Sequence, residues 1–243
     1  MSVFASLVEH LADLLRPLFG LSAAAAAIIV FTALVRLLVH PLSRAAARGQ
    51  KARAALQPRI AELRRKHGRN PEKLQKAVLE LHAEEKVSPL SGCLPSLLQL
   101  PAFFLLYHLF SSGTIGGEPN DLLTHRLLDA PLGGRWADAL GDGGPFGGAG
   151  LVYLGLFAVV AVVAYASYRL SRRMMDASAA TAGAGAGADP QAPGLAAMGG
   201  VMRVMPFMSF LTLVTVAVVP LAAALYVVTS TTWSVVERAV LYR

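Results

Sequence analysis

The stretch LSAAAAAIIVFTALVRLLVHPLS, Leu21 to Ser43, decides how the rest of the chain is read. From Leu21 to Val39 it is apolar over the length of a membrane span, about 20 residues, apart from Ser22, Thr32 and one fixed cation, Arg36. An arginine at the centre of such a helix costs roughly 2.5–3.5 kcal/mol to insert, so it marks a place that water or a partner reaches. Thr32, Arg36, His40 and Ser43 follow at intervals of four, four and three residues, which lays them along one helix face. A competing reading needs no function. Arg36 lies about a turn before His40-Pro41, and a long side chain near a helix end can snorkel to the headgroups.

Composition favours the membrane. Of 243 residues, 55% are hydrophobic and 15% charged, with a mean hydropathy of +0.53, too apolar for an ordinary soluble domain of this size. Candidate spans are Leu21–Val39, Leu94–Phe110, Leu151–Leu170, Val204–Val219 and Pro220–Val236, the last two read as a tight hairpin bent at Pro220. The expected fold is therefore an all-α membrane protein of five transmembrane helices.

Lysine and arginine orient it. Arg44, Arg48, Lys51, Arg53, Arg59, Arg64, Arg65, Lys66, Arg69, Lys73, Lys76 and Lys86 crowd into one segment. The loop after the second span holds only Arg126 and Arg135, against Glu118, Asp121, Asp129, Asp138 and Asp142. The basic segment is expected in the cytoplasm, the N-terminus outside and the C-terminus inside. In order, the expected parts are an outer interfacial amphipathic helix (1–20), a first span (21–42), a cytoplasmic helical hairpin (43–90), a second span (91–112) and an extracytoplasmic loop (113–150). A third span (151–171), a flexible cytoplasmic loop (172–202), a fourth span (203–219) and a fifth span with a short tail (220–243) complete it.

Within the hairpin, Leu56, Ile60 and Leu63 form one apolar stripe and Leu74, Val78 and Leu81 another. Asn70 suits an N-cap and Pro71 the first helical position. Its basic residues read equally as a solvated surface or as an arm that meets an emerging polypeptide or anionic lipid. The second span opens with Pro95 and Pro101 around Gln99, a loosened, polar stretch that fits a cavity wall or a glutamine bonded to a neighbouring helix.

Other classes find little support. The net charge of +7 is explained by topology, and no aromatic-basic interleaving suggests specific nucleic-acid recognition. Cys93 is the only cysteine, which excludes an intramolecular disulfide framework. No phosphate loop, zinc helix or nucleophile turn is present. His67 and His82 fall on the cytoplasmic arm, His125 in the outer loop, and no histidine has an evident acidic partner within a span, so neither an enzyme nor a cofactor is expected. A small anionic-solute transporter suits a buried arginine but lacks a visible inverted repeat. A pure membrane-protein assembly scaffold is the other alternative.

Three stretches resemble the YidC/Oxa/Alb-type membrane protein insertases: Thr32 to Leu42, Leu56-Gln57-Pro58-Arg59-Ile60, and Gly92 to Pro101 with Tyr107. Met205-Pro206 and Pro220 with Leu225-Tyr226 resemble the family's last two helices, although Val227 stands where an aromatic is frequent. The resemblance implies a minimal bacterial member in the cell membrane, its five helices around a cytoplasm-open hydrophilic groove. It implies an insertase and chaperone working without nucleotide hydrolysis, with Arg36, Thr32, Gln99 and Ser96 lining the groove. Newly made membrane proteins and the lipid bilayer are the implied partners, with the ribosome and the Sec translocon as further candidates. The large outer domain, the lipid-modified cysteine and the long basic tail of other members are not seen, so ribosome docking through a tail is not expected.

Overall fold

The structure, a computed structural model, describes residues 2–67, 70–85, 104–115, 117–183 and 205–241. Helix α1 spans Ser2–Phe19 and ends at Gly20, whose φ of 54° is the left-handed conformation that closes a helix at little cost when the residue is glycine. A short 3-10 turn, Gly20–Ser22, leads into α2, Ala23–Ala55. The two helices pack on each other, burying Val8 and Ala12 of α1 and Ala24, Ala27 and Ile28 of α2.

Helix α2 runs through Pro41 to Ala55. A proline removes one ladder bond and weakens a helix by about 3 kcal/mol, a cost offset here by the packing of α2 against α1 and the last helix. Leu56 then separates α2 from α3, Gln57–His67, and α4 follows over Pro71–Glu84. The α3–α4 pair closes on Leu56, Ile60 and Leu81, with Leu63 and Val78 beside them. Asn70 Oδ1 accepts a hydrogen bond from the Lys73 N–H at 3.0 Å, and Pro71 takes the first helical position.

Five further helices follow: α5 over 104–111, α6 over Trp136–Gly141, α7 over Gly148–Gly183, α8 over Leu211–Val218 and α9 over Leu221–Leu241. A 3-10 stretch, Met205–Phe210, precedes α8. Two helical segments are long and apolar enough to cross a membrane by length and composition, one within Ser6–Ala52 and the other Gly148–Met174. Exposed side chains are themselves apolar, among them Leu34, Leu37 and Leu38 on α2, Val159 and Val162 on α7, and Leu211, Val214 and Val218 on α8. Such outward faces belong in hydrocarbon rather than water.

The loop between α5 and α7 ties the helix ends together. It contains two small antiparallel ladders, Thr114–Ile115 with Glu118–Pro119 and Arg126–Leu127 with Ala130–Pro131. Its Leu122, Ala130, Leu132 and Ala139 are buried. The buried Asn120 donates through Nδ2 to Leu109 O and Ser112 O, both at 2.9 Å, satisfying carbonyls at the end of α5. Where α8 ends, Val219 is extended, and α9 begins after Pro220 as the expected bend requires. The first free N–H groups of α9 find loop carbonyls, Leu221 N to Gly134 O and Ala222 N to Leu132 O, both 2.9 Å. Tyr153 Oη also donates to Gly134 O at 2.6 Å, and Leu128 N donates to Ser22 Oγ at 3.2 Å beside the start of α2. Thus α2, α7 and α9 start at this loop, whereas α5 and α8 end there.

Candidate functional site

Helix α9 carries a run of hydroxyls, Thr229 to Thr232 and Ser234, inside an otherwise apolar sequence. In hydrocarbon each needs a partner, and four find one in their own helix. Thr229, Thr231, Thr232 and Ser234 donate to the carbonyls of Leu225, Val227, Val228 and Ser230, four residues back, at 2.7–3.0 Å. Ser230 is used differently, because its Oγ accepts from Arg36 of α2.

Arg36 donates from Nε at 3.1 Å and also from Nη2 to that oxygen. Thirteen residues separate Arg36 from Ala23 at the start of α2, about 20 Å along a helix. That is still within a hydrocarbon layer of about 30 Å when the helix stands upright. Hydrogen bonds to a charged group contribute about 1.5–3 kcal/mol, comparable with the insertion cost of the arginine itself. Ser230 can therefore hold the guanidinium at depth. It does not neutralise it, and Nη1 makes no hydrogen bond among the described residues. The side chain is half-buried, neither sealed in a dry interior nor splayed from the bundle.

One turn further along α2, His40 Nδ1 lies 2.5 Å from Glu237 Oε1 of α9. The expectation that no histidine meets an acid within a span is corrected by this pair. The candidate fifth span Pro220–Val236 stops one residue short of Glu237, while α9 continues to Leu241. The signal was nonetheless present. Tyr226, Ser230 and Glu237 are spaced by four and seven, one face of a helix, and Glu237 is the only carboxylate after Asp189.

Thr32 is buried, and its Oγ1 donates to Ile28 O at 2.7 Å within α2, so it backs the polar face rather than opening onto a space. Ser96 and Gln99 lie outside the described residues. Arg36 lines neither of two cavities found among the described residues. One of about 50 Å³ lies between α7, α8 and α9 and is lined by Ala164, Ser167, Ser209 and Thr231 among others. The other, about 350 Å³, opens between α3 and α4. Among the described residues no cluster of histidine, cysteine and carboxylates is arranged to hold a metal.

The comparisons with known proteins agree with this picture. A family model described as "60Kd inner membrane protein" matches residues 15–243. A membrane protein insertase YidC of Clostridium perfringens is 44% identical over 87 residues, 36% of this chain and 37% of that protein. One from Chlorobium limicola is 44% identical over 85 residues, 35% and 15% of the two, and one from an Anaeromyxobacter species 46% identical over 81, 33% and 15%. The matched segments thus span well under two thirds of the relatives' length. Because the family model covers nearly the whole chain and the membrane helices and polar α2 face fall within it, this chain belongs to the 60Kd inner membrane protein family, that of the YidC and Oxa proteins.

Proposed function

We propose that the protein is a membrane protein insertase and chaperone, multi-pass with five crossings, its N-terminus outside and its C-terminus in the cytoplasm. It lowers the barrier to moving a client's hydrophilic end across the bilayer through a groove on the α2–α9 side. The observation that carries this reading is Arg36, held at membrane depth by Ser230, with Nη1 making no hydrogen bond among the described residues. Arg36 attracts acidic side chains or the polar end of a client, with Thr32, Gln99 and Ser96 as the other groove residues of this reading.

The energetics require no nucleotide. Each Leu, Ile, Phe or Val of a client span contributes roughly −0.3 to −0.6 kcal/mol on insertion, so some twenty of them offset one or two charges at roughly 2.5–3.5 kcal/mol each. Equilibrium thus favours the inserted state, and what needs help is the passage of the tail. A wet cation shortens the dry path and binds loosely enough to release. Newly made membrane proteins and the bilayer are the partners in this reading, the ribosome and the Sec translocon its candidate companions.

The test is insertion of a small single-span client into liposomes containing this chain as sole protein, without nucleotide. Protease-protected product above empty liposomes is expected, and it falls for Arg36→Ala on clients with acidic outer tails. No product from the wild-type chain overturns the reading.

A further inference from the structure

Arg36 and His40 lie on successive turns of α2, and α9 answers them with one neutral acceptor and one acid. Ser230 faces Arg36, and Glu237, its side chain only 11% exposed, faces His40 at 2.5 Å. Helices α2 and α9 run in the same direction from the loop between α5 and α7. Glu237 is sixteen residues beyond Leu221, about 24 Å, which places it a few ångströms nearer the far end of the bundle than Arg36. A chain segment approaching from that end therefore meets the carboxylate before the guanidinium.

We propose that Glu237 is a specificity-determining residue: a resident anion that competes with client carboxylates for the Arg36–His40 face and so limits how strongly acidic tails are preferred over neutral ones. This rests on the insertase reading above. The physical reason is that carboxylates seeking the same donors exclude each other by like-charge repulsion. His40 Nδ1–H holds the Glu237 carboxylate on the α9 side whether the ring is neutral or charged, which keeps it from capping Arg36 directly. A purely structural tie between α2 and α9 would be met equally by glutamine, which keeps a hydrogen bond to His40 and removes only the charge.

The experiment uses two clients identical except for two Asp or two Asn residues in the translocated tail, each inserted into liposomes carrying the full-length protein. For Glu237→Gln the acidic-to-neutral insertion ratio rises roughly two- to fivefold, the range that one partly exposed charge pair supports, and Glu237→Asp returns it towards wild type. The gain disappears when Arg36→Gln is added. His40→Gln is the complementary variant: it frees Glu237 to turn towards Arg36, and the ratio falls. Because the ratio is internal to each preparation, a loss of folded protein lowers both clients alike and leaves the ratio to decide. An unchanged ratio in both Glu237→Gln and His40→Gln, with both clients inserted, overturns the proposal while leaving the insertase reading intact. Failure of the wild-type protein to insert either client overturns both.

Discussion

Ser230 Oγ accepts two donors from a single guanidinium, Nε and Nη2 of Arg36, across 194 residues of sequence. Ser230→Ala leaves those donors to find water or nothing. At about 1.5–3 kcal/mol for a hydrogen bond to a charged group, and about 2–4 °C per kcal/mol for a chain of this size, the detergent-solubilised variant is expected to melt about 3–12 °C lower. Ser230→Thr, which keeps the hydroxyl, stays near wild type. Equal melting of Ser230→Ala and the parent would show that the contact contributes nothing to holding α2 against α9.

Asn120 joins the loop between α5 and α7 to α5 through two bonds from one amide nitrogen, to Leu109 O and Ser112 O. Asn120→Leu is close in size but strands two carbonyls in a buried place, at about 1–3 kcal/mol for each. The expected result is faster amide exchange at residues 114–132, tenfold or more since about 1.4 kcal/mol is a factor of ten, with little change in α3–α4. Uniform acceleration over the whole chain would instead mean that the loop and bundle unfold together and that Asn120 secures no separate unit.

How much of this was legible beforehand depends on the range of the interaction. Local features were. Asn70-Pro71 specifies a helix start by chemistry confined to four residues, and the spacing of Thr32, Arg36 and His40 defines a face whatever it meets. The partner of that face was not, because helix periodicity says which side of α9 is polar without saying which helix it turns towards. Ser230 and Glu237 therefore went unassigned. Pro41 shows the opposite case: its local effect is unfavourable to helix, and tertiary packing prevails. The two-residue ladders of the loop between α5 and α7 are too short to leave an alternating pattern. Ser96 and Gln99 lie outside the described residues.

Glycines of α7 separate close packing from mere flexibility. A Cβ on Gly150 would lie 2.4 Å from Gly144 O and 2.5 Å from Pro145 O, backbone atoms of the turn before the helix, whereas one on Gly155 meets nothing within 4 Å. Gly150→Ala must shift that turn and is expected to cost about 1–3 kcal/mol as overpacking does. Gly155→Ala, in open space, is neutral or slightly stabilising because alanine is the better helix former. Thermal unfolding of the two variants side by side checks the difference, and equal midpoints would mean that the turn at residues 144–145 yields without cost.

His82 makes the opposite prediction, a gain from removing a polar group. It is buried on α4, its Nδ1 donates to Val78 O at 2.7 Å, and Nε2 has no partner among the described residues. Val78 O already sits in the helical ladder, so the bond that would be lost is a secondary one. An unsatisfied buried acceptor costs about 1–3 kcal/mol. His82→Leu replaces it with apolar surface beside Ile60 and Leu81, and slower amide exchange in α3 and α4 by tenfold or more is the expected outcome, with α2 and α9 unaffected. Faster exchange there would show that Nε2 is satisfied by water in the cleft between the two helices, whose lining includes Gln57, Arg64 and Gln75, and that the imidazole is a polar anchor for the hairpin rather than a defect in its core.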